Sequence, residues 1–65
     1  MNITELNSFL NSKGYRLSVR GSSDLEIEVS NLKGYKKIFL KKGLDNESFL
    51  EKIAVHYGKN NLKLF

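Results

Sequence analysis

The chain reads as a small α+β domain with the element order αβββα, and two observations predict it. Three short segments alternate apolar and polar residues with period two, as half-buried strands do. They lie between two segments whose apolar residues recur at helical spacing. A length of 65 residues gives one compact domain spanning positions 1–65. The expected architecture is a three-stranded antiparallel sheet in the order 1-2-3. Both helices cover one face and the other face is open to solvent.

The first helix is expected over about Asn2 to Lys13. Asn2 followed by Glu5 three residues later resembles a capping box. Ile3, Leu6, Phe9 and Leu10 form one apolar stripe, and Glu5, Asn7, Ser8 and Asn11 face water. Gly14 supplies the left-handed residue that commonly ends a helix.

Period two begins directly afterwards. Tyr15, Leu17 and Val19 alternate with Arg16, Ser18 and Arg20, and Gly21-Ser22-Ser23 forms a turn. Leu25, Ile27 and Val29 then alternate with Glu26, Glu28 and Ser30. Asn31-Leu32-Lys33-Gly34 makes the second turn, and the third strand runs from Tyr35 to Lys42.

Pairing Ser30 with Tyr35 around a four-residue turn sets Ile27 opposite Ile38, Leu25 opposite Leu40, and Glu28 opposite Lys37. Ile38 and Leu40 then point inward, while Tyr35, Lys37, Phe39 and Lys41 point outward. In the first hairpin a three-residue loop sets Ser18 opposite Glu26 and Arg16 opposite Glu28. That arrangement flanks the carboxylates of the middle strand with cations on both sides.

The second helix starts near Asp45, which suits its N-cap, with Leu44 placed to pack on Phe49 as a hydrophobic staple. Phe49, Leu50, Ile53, Ala54 and Tyr57 form its apolar face, and Gly58 ends it. Beyond it, Leu62 and Leu64 alternate with Lys63 and Phe65. This ending reads either as a short C-terminal strand or as a clamp over the core.

Composition removes most enzyme classes. The chain has one histidine and no cysteine, so neither a disulfide nor a thiolate metal centre can form. His56 has no identifiable nucleophile or base to work with. Glu26 and Glu28 sit among Arg and Lys, which favours ionised salt-bridging carboxylates over a general acid. The glycines mark element boundaries and form no phosphate-binding loop. No catalytic residue, metal or cofactor is expected. No apolar run approaches the roughly 20 residues that cross a bilayer, and the N-terminus lacks a signal-peptide core. The expectation is a cytoplasmic, non-membrane protein.

Eleven basic and seven acidic residues give a net charge of +4. That balance is compatible with nucleic acid, with an acidic protein surface, or with solubility alone. The candidate partner-binding residues lie on the first and third strands: Arg16, Arg20, Tyr35, Lys36, Lys37, Phe39, Lys41 and Lys42. Aromatic side chains set among Lys and Arg are a pattern of interaction faces. The competing reading is that lysines on an edge strand simply block unwanted strand pairing. An exposed edge is also compatible with a homodimer.

Three families share this element order. The double-stranded-RNA-binding domain begins its second helix with a basic motif, whereas here Asp45-Asn46-Glu47-Ser48 stands there and would repel phosphate. HicA-type toxins carry a Gly-Ser-His motif, and Gly21-Ser22-Ser23 replaces its catalytic histidine with Ser23. Met1-Asn2-Ile3, Leu6, Lys13, Tyr15, Gly21, Val29, Asn31, Gly34 and Asn46-Glu47-Ser48 followed by Glu51-Lys52 resemble the small phage and prophage anti-CRISPR proteins that inhibit the type II-A effector nuclease. The resemblance spans roughly residues 1–56.

It implies a non-enzymatic phage or mobile-element protein that inhibits a host CRISPR effector protein or ribonucleoprotein. The best-known member of that family is acidic and resembles a DNA mimic. A basic chain implies a different contact: an acidic protein surface, the guide RNA, or another effector. The alternative from another class is a small nucleic-acid-binding module or phage regulator that uses the exposed sheet face.

Overall fold

The structure, a computed structural model, describes residues 1–21 and 24–59. Helix α1 spans Ile3–Ser12, strands β1, β2 and β3 span Tyr15–Arg20, Glu26–Asn31 and Lys36–Leu40, and helix α2 spans Asn46–His56. The strands form one antiparallel sheet in the order β1-β2-β3, so the αβββα α+β fold is the one expected. The suggested strand or clamp at Leu62–Phe65 lies outside the described residues, as do Ser22 and Ser23 of the first turn.

Both helix starts follow from their capping residues. The Asn2 side chain accepts the Glu5 N–H at 2.8 Å, and the Asp45 carboxylate accepts the Ser48 N–H at 2.6 Å. The bonds from Ser48 also hold the Asp45 carboxyl below its ordinary pKa. Each helix buries its apolar stripe against the sheet. Leu6 and Leu10 of α1 and Phe49, Leu50, Ile53 and Ala54 of α2 meet Leu25, Ile27 and Val29 in one core. Met1, Ile3, Phe9, Tyr15, Leu17, Phe39, Leu44 and Tyr57 close around it. No polar or charged residue is buried among the described residues, so burial of apolar area is the main stabilising term.

The first hairpin differs from the expected register by two residues. Arg20 lies opposite Glu26, Ser18 opposite Glu28, and Arg16 opposite Ser30. An even shift preserves the faces, so Tyr15, Leu17 and Val19 still point toward the helices.

The second hairpin differs by one residue, which reverses the strand. Asn31, not Ser30, lies opposite Tyr35, because the Asn31 N–H donates to the Tyr35 carbonyl at 3.1 Å. The loop is therefore Leu32-Lys33-Gly34, with Gly34 at φ +88° in the left-handed region. Three-residue hairpin loops require a residue there, and only glycine adopts it without penalty. Ile27 consequently faces Phe39, Glu28 faces Ile38, and Glu26 faces Leu40. Phe39 points toward the helices and packs on the core. Ile38 and Leu40, expected inside, are 52% and 55% exposed on the outer face.

Candidate interaction face

The outer sheet face is set by two-residue alternation on three strands. Its first row is Arg16, Ser30 and Lys36; its second is Ser18, Glu28 and Ile38; its third is Arg20, Glu26 and Leu40. The expected flanking of both carboxylates by cations does not form. Glu26 pairs with Arg20 at 3.5 Å but has Leu40 on its other side, and Glu28 lies between Ser18 and Ile38.

What results is an apolar pair on the edge strand, bordered by two carboxylates and by the cations Arg16, Arg20 and Lys36. An apolar centre inside a charged rim is the usual anatomy of a protein-binding patch. Isolated exposed apolar residues need no explanation. Ile38 and Leu40 are successive on one face, however, and adjoin the sheet edge.

The eight residues singled out in the sequence are thus divided between two surfaces. Arg16 and Arg20 lie on the outer face as expected, and Lys36, expected close by on the strand edge, joins them there. Tyr35, Lys37, Phe39 and Lys41, expected beside them, belong to the helix side, because the shorter loop turns all of β3 over. Lys42 is exposed just beyond the strand. Ile38 and Leu40, which the sequence reading assigned to the core, take their place. The signal that could have found them is Asn31, whose carboxamide can close a three-residue loop from inside the strand.

On the helix side, the β3 residues join an aromatic ledge. Tyr15 stacks on Tyr57 with centroids 4.7 Å apart and lies 6.4 Å from Tyr35. Phe39 meets His56 at 5.4 Å and Tyr57 at 6.0 Å, both edge-on, and the Lys37 ammonium sits 5.7 Å from its ring centre. Neighbours therefore engage the Phe39 ring from several directions, which leaves it poorly placed as a stacking platform for a base. The Tyr57 hydroxyl is buried and finds no hydrogen-bond partner. Burial raises its pKa above the ordinary value, and the adjacent Tyr35 hydroxyl adds to the rise.

Among the described residues the remaining geometry brings few reactive groups together. Among the described residues no three His, Cys, Asp or Glu side chains come together to hold a metal. An open cleft of about 420 Å³ beside the start of α2 is lined by Asp45, Glu47, Ser48 and Glu51, without a histidine to activate the serine. His56 packs edge-on against Phe39 and Tyr57, a packing role. No described helix is long and apolar enough to cross a membrane. No family model matches the chain, and no curated protein or solved structure is significantly similar to it.

Proposed function

We propose that this chain is a non-enzymatic binding protein that engages a protein partner through the outer face of β3. The exposure of Ile38 and Leu40, side by side within a rim of both charge signs, carries the reading. Desolvating two large aliphatic side chains supplies binding energy, and the surrounding Arg16, Arg20 and Lys36 steer and orient the approach. The resemblance of residues 1–56 to the small anti-CRISPR inhibitors supplies the partner class, a host CRISPR effector ribonucleoprotein.

The test is binding of the purified chain to a type II-A effector loaded with guide RNA, read together with DNA cleavage. The expected result is complex formation and loss of cleavage, with Ile38→Ser/Leu40→Ser folded but at least about tenfold weaker. A doubly substituted chain that inhibits as well as the parent removes this face. Absence of any complex removes the partner class.

A second reading is favoured by one observation: five lysines and no acid between Leu32 and Leu44. It makes the chain a nucleic-acid-binding module. Glu26 and Glu28, at the middle of the same face, work against a phosphate backbone. Affinity for a duplex that falls steeply with salt, as counterion release demands, would favour this alternative.

A further inference from the structure

Along an antiparallel strand, successive residues turn their backbone groups alternately toward one neighbour and away from it. Two bonds fix the phase in β3. The Tyr35 carbonyl accepts the Asn31 N–H, and the Lys41 N–H donates to the Leu25 carbonyl, each at 3.1 Å. Tyr35, Lys37, Phe39 and Lys41 therefore bond toward β2. Lys36, Ile38 and Leu40 turn their N–H and C=O groups outward, at an edge with no further strand among the described residues. That edge lies in the most cationic stretch of the chain, with Lys33, Lys36, Lys37, Lys41 and Lys42 and no acid from Leu32 to Leu44.

We infer that the β3 edge takes up an extended acidic segment of a partner protein as a fourth strand, a refinement that rests on the protein-binding reading above. Outward N–H and C=O groups at Lys36, Ile38 and Leu40 supply the ladder, and side chains on the two faces supply the selectivity. In antiparallel addition, residues opposite Leu40 and Ile38 share their apolar outer face. The residue opposite Phe39 joins the aromatic ledge, and residues opposite Lys37 and Lys36 meet cations. The complementary segment is therefore three apolar residues followed by two acids.

Charge decides among occupants. A second copy pairing through β3 gathers ten lysines at one interface, with no acid between Leu32 and Leu44 to offset them, and that like-charge crowding costs stability. A nucleic acid satisfies the lysines but offers no strand ladder to the edge, and it meets Glu26 and Glu28 on the outer face. An acidic extended peptide satisfies both the charge and the ladder.

The experiment uses two capped synthetic peptides, Val-Phe-Val-Glu-Glu and Val-Phe-Val-Lys-Lys, added to the isotope-labelled chain. The amide exchange of Lys36, Ile38 and Leu40 should slow by about tenfold or more at saturation with the acidic peptide. Lys37 and Phe39 should be unchanged, and the basic peptide should bind about tenfold more weakly. Leu40→Pro removes an outward N–H and no bond of the existing ladder. It should abolish the slowing at Lys36 and Ile38 at any peptide concentration. Leu40→Ala, which loses the side-chain contact and keeps the N–H, should bind more weakly and still show the slowing at saturation, with the amide spectrum reporting that each variant is folded.

Equal binding of both peptides overturns the inference, as does unchanged exchange at the three edge amides. Edge protection that grows with protein concentration in the absence of peptide overturns it in favour of a second copy. If Leu40→Pro does not fold, the two peptides on the parent chain still decide. Failure here alongside a positive effector assay removes strand addition and keeps face binding. A protected edge alongside a negative effector assay removes only the partner class.

Discussion

Asn31 and Tyr35 are joined twice across the second hairpin. The Asn31 N–H donates to the Tyr35 carbonyl at 3.1 Å, and the Tyr35 N–H donates to the Asn31 side-chain oxygen at 3.1 Å. The Asn31 main-chain carbonyl, which would ordinarily take the Tyr35 N–H, instead accepts the Gly34 N–H at 3.2 Å. A second bond, from the Lys33 N–H at 3.0 Å, completes the loop around the same carboxamide. Asn31→Ala should therefore cost about 1 kcal/mol, measured as a lower urea midpoint. Asn31→Asp keeps the acceptor and should retain most of that stability.

This loop is where the sequence stopped being legible. Helix boundaries followed from Asn2, Gly14, Asp45 and Gly58, and the strands followed from period two, so the order and the layering could be read directly. The facing of β1 survived a wrong register because the difference was even. In β3 the apolar residues occur on both parities, with Tyr35 and Phe39 on one and Ile38 and Leu40 on the other. Either face could have been buried on pattern alone, and a four-residue turn chose the wrong one. The cationic character of β3 was legible as composition. Which of its side chains lie on the outer face depended on a side-chain hydrogen bond that no periodicity reports.

The reversal of β3 gives opposite expectations for neighbouring residues. Phe39→Ala opens the aromatic ledge over the core and should destabilise by about 2 kcal/mol or more. Ile38→Ala removes only outer-face contacts and should change stability by less than about 0.5 kcal/mol. Thermal or urea unfolding of the two variants checks the register without a new structure.

Tyr57 ties stability to alkaline pH. Its pKa is raised in the folded chain because burial penalises the phenolate, whereas an unfolded tyrosine titrates near the ordinary value of about 10. The unfolded chain therefore releases its proton first as pH rises, and the folded state loses stability from that point upward. Below it the contribution is fully present. Tyr57→Phe should flatten the decline. Since the buried hydroxyl is outside hydrogen-bond geometry and has the Tyr35 hydroxyl beside it, the variant should differ in stability by less than about 1 kcal/mol at pH 7. Denaturation midpoints across pH 8 to pH 11, roughly bracketing that ordinary value, measure both effects.

Gly21 and Gly34 both sit at positive φ, +80° and +88°, yet their substitution should differ. A Cβ on Gly34 meets open space, so Gly34→Ala should cost about 1 kcal/mol from backbone strain alone. A Cβ on Gly21 collides with the Asp24 carbonyl, so Gly21→Ala must also displace the end of the first hairpin. Its unfolding midpoint should fall below that of Gly34→Ala.

The strand order β1-β2-β3 follows the chain, so every pairing in the sheet joins sequence neighbours. The meander can therefore zip through two short hairpin closures, each with a small entropy cost. The seam between α1 and α2 is different, since it brings residues near position 10 against residues near position 50. Ordering nearly the whole chain is required before Leu10 and Phe49 share one core. Folding should be fast, and slowed most by substitutions in the two hairpins. Weakening the helix seam should act chiefly by speeding escape from the native state. For a chain of this size that separates how quickly the native state becomes available from how long it stays intact.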